Sequence, residues 1–139
     1  PSGDITANWE RVDTDGFALL GTGLSENSGV FSFPSTGHWL IFFGVMFYND
    51  TADDEYVHVQ FETTQNNSTY NNAVRTRDGI NTFSSVGFAT SFGMYSFDVT
   101  DISNDKFKIY VYNDEANTIV TGGSGQNETY INAIKLADT

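Results

Sequence analysis

The sequence predicts an all-β fold, a sandwich of two packed sheets with about ten strands. Three observations carry this: a strand-favouring composition, turn signals at sandwich spacing, and apolar residues that alternate along short runs. Phe, Tyr and Trp number 12, 7 and 2, making 15% of the 139 residues aromatic, beside 13 Gly and only 2 Pro. Aromatic rings suit the half-buried surface of a sheet, whereas Gly, Asn and Ser supply its turns. A chain of this length buries roughly two-thirds of its unfolded surface, enough for one core without staples. Residues 1–139 are therefore read as a single domain.

Turn signals recur along the chain, several of them about nine to twelve residues apart. They are Asp15-Gly16, Ser28-Gly29, Pro34 with Gly37, Asn49-Asp50, Asn66-Asn67, Asp78-Gly79, Asn104-Asp105, Asn113-Asp114 and Gly122-Gly123. Between them the predicted strands run in order: 9–12, 17–20, 30–33, 39–48, 56–63, 71–76, 86–92, 95–99, 106–112, 119–120 and 130–136. In the fifth, Val57, Val59 and Phe61 share one face, with His58, Gln60 and Glu62 on the other. Residues 106–112 alternate likewise, with Phe107, Ile109 and Val111 inward and Lys106, Lys108, Tyr110 and Tyr112 outward.

The run from Trp39 to Tyr48 breaks this pattern. Trp39, Ile41, Phe43, Val45 and Phe47 form one apolar face, and Leu40, Phe42, Met46 and Tyr48 make the other nearly as apolar. A strand covered on both sides reads this way. One cover is the facing sheet. The sequence offers no helical segment long enough to be the second, so a neighbouring subunit is expected there.

Leu24, Phe31, Gly37, Trp39, Ile41 and Phe43 follow the spacing of a known signature: an aromatic, a gap, a glycine, then aromatic or apolar residues at alternate positions. In this the chain resembles complement-q-type globular domains, which share a ten-strand jelly roll with tumour-necrosis-factor-like proteins. Asp105-Lys106-Phe107 is similar to the start of that family's late strand, and 129–136 stands where its closing central strand would be. The resemblance implies a jelly roll that assembles into a homotrimer through its inner sheet. Phe31, Gly37, Trp39, Ile41 and Phe43 would be the core signature. Leu40, Phe42 and Met46 would face neighbouring subunits, joined by Tyr110 and Tyr112. The wording of 9–23, 28–39 and 131–138 also resembles short modules of marine bacteriophage structural proteins that decorate heads or tip fibres.

The charge balance is strongly acidic, 6 basic against 18 acidic residues and a net charge of −12. This disfavours nucleic acid, whose phosphates need cationic partners, and anionic membrane surfaces. Insertion into a bilayer as a helix is not expected, because the longest apolar run is too short to span one. No basic segment followed by an apolar one opens the chain, so no signal peptide is expected. Pro1 fits either removal of an initiator methionine or a module cut from a longer chain.

Catalytic patterns are sparse. The 2 histidines, His38 and His58, read as ordinary surface residues, and no serine stands in a Gly-x-Ser-x-Gly elbow. Cysteines number 0, which removes disulfides, thiolate metal sites and a cysteine nucleophile. Asp13-Thr14-Asp15-Gly16 starts like a calcium loop, but Leu24 falls where the closing glutamate belongs. The Gly122-Gly123-Ser124-Gly125 run lacks the lysine of a phosphate loop and reads as a turn. Asp53, Asp54 and Glu55 form a denser acidic cluster, the candidate for a calcium ion; no other cofactor is expected.

The expected protein is a non-enzymatic, trimeric virion surface component, a head-decoration protein or a fibre knob, with other virion proteins as partners. The alternative is a module that binds a host-surface glycan or receptor, with Tyr56, Tyr70 and Tyr95 as contact residues.

Overall fold

Ten strands and no helix account for the regular structure in the computed structural model, which describes residues 2–83, 86–123 and 125–139. They are β1 (Gly3–Asp4), β2 (Ser25–Asn27), β3 (Val30–Ser32), β4 (Gly37–Asn49), β5 (Asp54–Thr64), β6 (Asn71–Ile80), β7 (Gly87–Val99), β8 (Lys106–Asn113), β9 (Ile119–Thr121) and β10 (Tyr130–Ala137). One sheet has the order β2-β3-β8-β5-β6, with β1 pairing β8 beyond the end of β3. The other has the order β10-β4-β7, with β9 continuing the β10 edge of β4. All of these pairings are antiparallel. Ser124, in the predicted Gly-Gly-Ser-Gly turn, lies outside the described residues.

The core is built by alternation. From β4, Trp39, Ile41, Phe43, Val45 and Phe47 point between the sheets and are buried. Val57, Val59 and Phe61 of β5 and Phe107, Ile109 and Val111 of β8 meet them from the other side. Each such side chain contributes about 1.5–3 kcal/mol by leaving water. The rings are specifically arranged: Phe43 stacks on Phe61 at 5.3 Å, Phe61 on Phe107 at 4.8 Å, and Phe31 on Phe107 at 5.0 Å. Gly93 faces Phe43 across the β4–β7 register, and a Cβ there would lie 2.6 Å from Phe43 Cζ. The missing side chain is the space that Phe43 fills. Gly37 holds φ at +136°, a conformation that favours glycine, with the Ala137 carbonyl against it.

Two predicted strands are absent. Residues 9–12 and 17–20 form no ladder, because left-handed turns at Asn8, Asp15, Gly16 and Gly21 repeatedly redirect the chain. Trp9 still packs edge-on against Phe31 at 5.1 Å and donates its ring N–H to the Ile5 carbonyl at 2.9 Å. The sequence predicts two strands, 86–92 and 95–99, but Gly87–Val99 is one continuous β7 paired to β4 along its whole length.

Polar networks close the ends of the sandwich. The fully buried Asn49 side chain accepts from the backbone N–H groups of Thr51 (2.8 Å) and Ala52 (3.1 Å) and donates to Thr118 Oγ1 at 2.8 Å. Thr118 in turn donates to the buried carboxylate of Asp54 at 2.6 Å. At the β7–β8 turn, buried Asp105 accepts from the N–H groups of Thr100 (2.7 Å) and Asp101 (2.9 Å). The turn that opens β8 is thereby fixed by its own carboxylate.

Candidate functional site

Each sheet turns one face to the core and one outward, and the two outward faces differ in chemistry. On the four-stranded sheet, the registers align five rows across β4 and β7: Leu40 with Ser96, Phe42 with Met94, Gly44 with Phe92, Met46 with Thr90, and Tyr48 with Phe88. Across the other edge of β4, Ile134 lies beside Leu40, Asn132 beside Phe42 and Tyr130 beside Gly44. The Tyr130 ring covers Gly44 so closely that a Cβ would lie 2.6 Å from its Cε1.

This face is largely apolar and open. Phe92 is 71% exposed, Met94 61% and Phe88 57%, whereas Leu40, Phe42 and Met46 are half-buried between their neighbours. Strand rise and spacing make the patch roughly 400 Å², the size of the largest apolar patch on a typical monomer, which is often functional. Phe88, Phe92, Met94 and Ile134 are functional candidates that the sequence reading missed. The signal was present: in 87–99, Phe88, Phe92 and Met94 occur at even positions, opposite Ala89, Ser91, Tyr95 and Phe97.

The outward face of the six-stranded sheet is aromatic and carries charges of both signs. Tyr56, His58 and Gln60 of β5 stand beside Tyr110 and Tyr112 of β8 and Arg75 and Arg77 of β6. His58 stacks on Tyr112 at 4.8 Å and 14°, and Tyr56 on Tyr112 at 5.5 Å and 18°. The Arg77 guanidinium lies over the Tyr56 ring at 5.9 Å. Tyr112 donates to Asp114 at 2.6 Å, which pushes its hydroxyl pKa well up. Lys108 bridges Asp4 (2.9 Å) and Glu62 (3.2 Å). Burial alone would lower its pKa, but these two carboxylates outweigh that and hold it raised.

Three sequence expectations are corrected by this geometry. Tyr110 and Tyr112 do not join Leu40, Phe42 and Met46, because β8 belongs to the other sheet and turns them to the opposite side of the sandwich. His58 is not a surface histidine: the residue is 7% exposed, its ring beside those of Tyr56, Tyr110 and Tyr112. Burial and the nearby cations Arg75 and Arg77 push its pKa down, so the ring is held neutral. Tyr95 is not an outward-facing contact residue; it lies on the core side of β7, with its ring 5.5 Å from Phe61 and 5.9 Å from Phe97.

Tyr56 is part of the stacked face, and Tyr70 lies beneath the Lys108 ammonium at 4.7 Å. The acidic cluster does not converge on one point. Asp53 accepts from the Thr82 N–H at 2.6 Å, which lowers its pKa, while Asp54 is turned inward to Thr118 and Glu55 outward. Among the described residues, no group of three or more His, Cys, Asp or Glu side chains is placed to hold a metal ion.

No protein-family model matches the chain, and no curated protein matches it in sequence. Solved structures do match its fold. Murine APRIL at pH 8.5 superposes with a TM-score of 0.61 at 15% identity, over 84% of this chain and 78% of that one. Murine APRIL at pH 5.0 gives 0.61 and 15%, over 84% and 80%. The Eiger TNF of S. frugiperda gives 0.59 and 14%, over 84% and 70%. The fold is a TNF-like, two-sheet jelly roll of ten strands.

Proposed function

We propose that the chain is a non-enzymatic module that self-associates into a homotrimer through the outward face of its four-stranded sheet. The carrying observation is the apolar lattice around Phe42, Phe92 and Met94, which no other part of the described chain covers. The TNF-like fold supports three-fold packing of these sheets about an axis. Phe92, projecting furthest, would be the anchor, with Tyr130 and Tyr48 supplying ring area at the margins.

Within that reading, the module serves on a virion surface, as a head-decoration protein or fibre knob of a bacteriophage, held among other virion proteins. Its acidic composition, its absence of cysteine and its wording at 9–23, 28–39 and 131–138 support this placement. The genes flanking the coding sequence test it: capsid or tail genes are expected, and a run of metabolic genes counts against it.

Light scattering after size exclusion tests the assembly. The expected mass is that of three 15.3-kDa chains, reduced by Phe42→Asp. A wild-type monomer at high micromolar concentration would overturn the trimer.

A further inference from the structure

Four of the 6 basic residues in this strongly acidic chain, Arg75, Arg77, Lys106 and Lys108, lie on the outward face of the six-stranded sheet. Lys108 is neutralised by Asp4 and Glu62. Arg75 and Arg77 are not: among the described residues, neither has a carboxylate within ion-pair distance. With the Asn72 amide oriented to suit its neighbours, its oxygen accepts from Arg75 Nη2 at 2.9 Å and Nε at 3.1 Å, which aims the guanidinium without discharging it. Both arginines are exposed.

Beside them, Tyr56, Tyr112 and His58 stack ring face to ring face, and the Tyr112 hydroxyl donates to Asp114. The stack is pre-ordered, so little side-chain entropy remains to be lost on binding. Carboxylates also lie near it, Glu55, Asp78 and Asp114, but among the described residues none is within ion-pair distance of either guanidinium; Asp114 accepts from Tyr112, and Asp78 accepts its neighbour Gly79 N–H at 2.9 Å.

We infer that this face binds an acidic glycan. Arg75 and Arg77 would take the acid groups, and Tyr110, the ring of this cluster not stacked face to face, a sugar's C–H face, with the Tyr56–Tyr112 stack as the rim. Guanidinium forks match carboxylate and sulfate oxygens, and amphipathic tyrosine rings match sugars, which are polar at the rim and apolar on the face. The two guanidiniums left without an ion pair among the described residues, not the net charge of the face, select the ligand. A chain of net charge −12 repels polyanions at long range, so any retention of one reports a local cationic site. The face lies across the sandwich from the proposed trimer surface, so the inference does not depend on that assembly.

Calorimetry with oligogalacturonate, dextran sulfate, neutral maltohexaose and poly-L-glutamate tests it, at two salt concentrations and with thermal melts to verify folding. Binding of either acidic sugar is expected, weakening with salt and falling at least tenfold in Arg75→Gln/Arg77→Gln and in Tyr112→Leu. Which of the two acidic sugars binds identifies the acid group. The inference is overturned if neither binds, if maltohexaose binds equally, or if the folded arginine variant retains full affinity. Equal binding of poly-L-glutamate would overturn the assignment to sugar.

Discussion

The Thr118 hydroxyl donates to the Asp54 carboxylate at 2.6 Å while accepting from Asn49 Nδ2 at 2.8 Å, so one buried side chain ties the β4–β5 turn to the loop before β9. Asp54 is almost fully buried, and its remaining bonds, from the N–H groups of Asp114 and Glu115, are longer at 3.3 Å each. Thr118→Val keeps the shape and removes the shortest of these bonds. An unsatisfied buried group costs about 1–3 kcal/mol. Urea denaturation should show a loss in that range with an unchanged m-value, and a loss of a few tenths would show that the network is not structural.

The Gly93–Phe43 contact predicts the opposite kind of defect, overpacking. Gly93→Ala places a methyl against a ring fixed by Phe61, and forcing extra volume into a packed core costs about 1–3 kcal/mol. A lowered melting temperature is expected, partly restored by Phe43→Leu in the same chain. Additive losses in the double variant would show that the two residues are uncoupled.

The two outward faces separate by mutation. Phe92→Asp should raise the dissociation constant of the assembly roughly 30-fold or more, as loss of an anchor worth about 2 kcal/mol. Tyr110→Asp, on the other side of the sandwich, should leave the assembly mass unchanged in sedimentation velocity. A Tyr110→Asp monomer would place the interface on the wrong sheet.

His58 makes stability depend on pH. Its folded pKa lies below the ordinary value of about 6.5, so below that pH the unfolded chain binds more protons. The stability fully present above about 6.5 is therefore lost as pH falls through that value toward the lowered folded one, with a slope of at most about 1.4 kcal/mol per pH unit. His58→Gln should flatten the change in urea midpoint between pH 7.5 and 5.5, whatever its effect at pH 7.5. An unchanged slope would place the titration elsewhere.

The legible parts of this fold were those where burial imposes a period of two. The core residues of 39–47, 57–61 and 107–111 announced themselves by alternation, and the structure places them between the sheets. Alternation reports that a side chain points outward but not from which sheet, which is why Tyr110 and Tyr112 were grouped with Leu40. The short strand Ser25–Asn27 is wholly exposed and polar, and so carries no pattern to read. Residues 9–12 and 17–20 carry apolar side chains without ladder partners, and composition alone cannot supply the missing partner. The outer aromatic face depended on pairing His58 with Tyr112 and with Arg77, contacts between residues far apart in sequence.

The position of β10 has a consequence for how the molecule is made. Its residues pair with β4, roughly ninety positions earlier, so the four-stranded sheet gains Tyr130 over Gly44 and Ile134 beside Leu40 only after β10 has left the ribosome. Until then β4 exposes both an unpaired edge and an apolar face, the combination that invites wrong partners in a nascent chain. The surface proposed for self-association is thus completed only when β10 follows β4 and β7 in synthesis, and a copy still lacking β10 cannot present it whole.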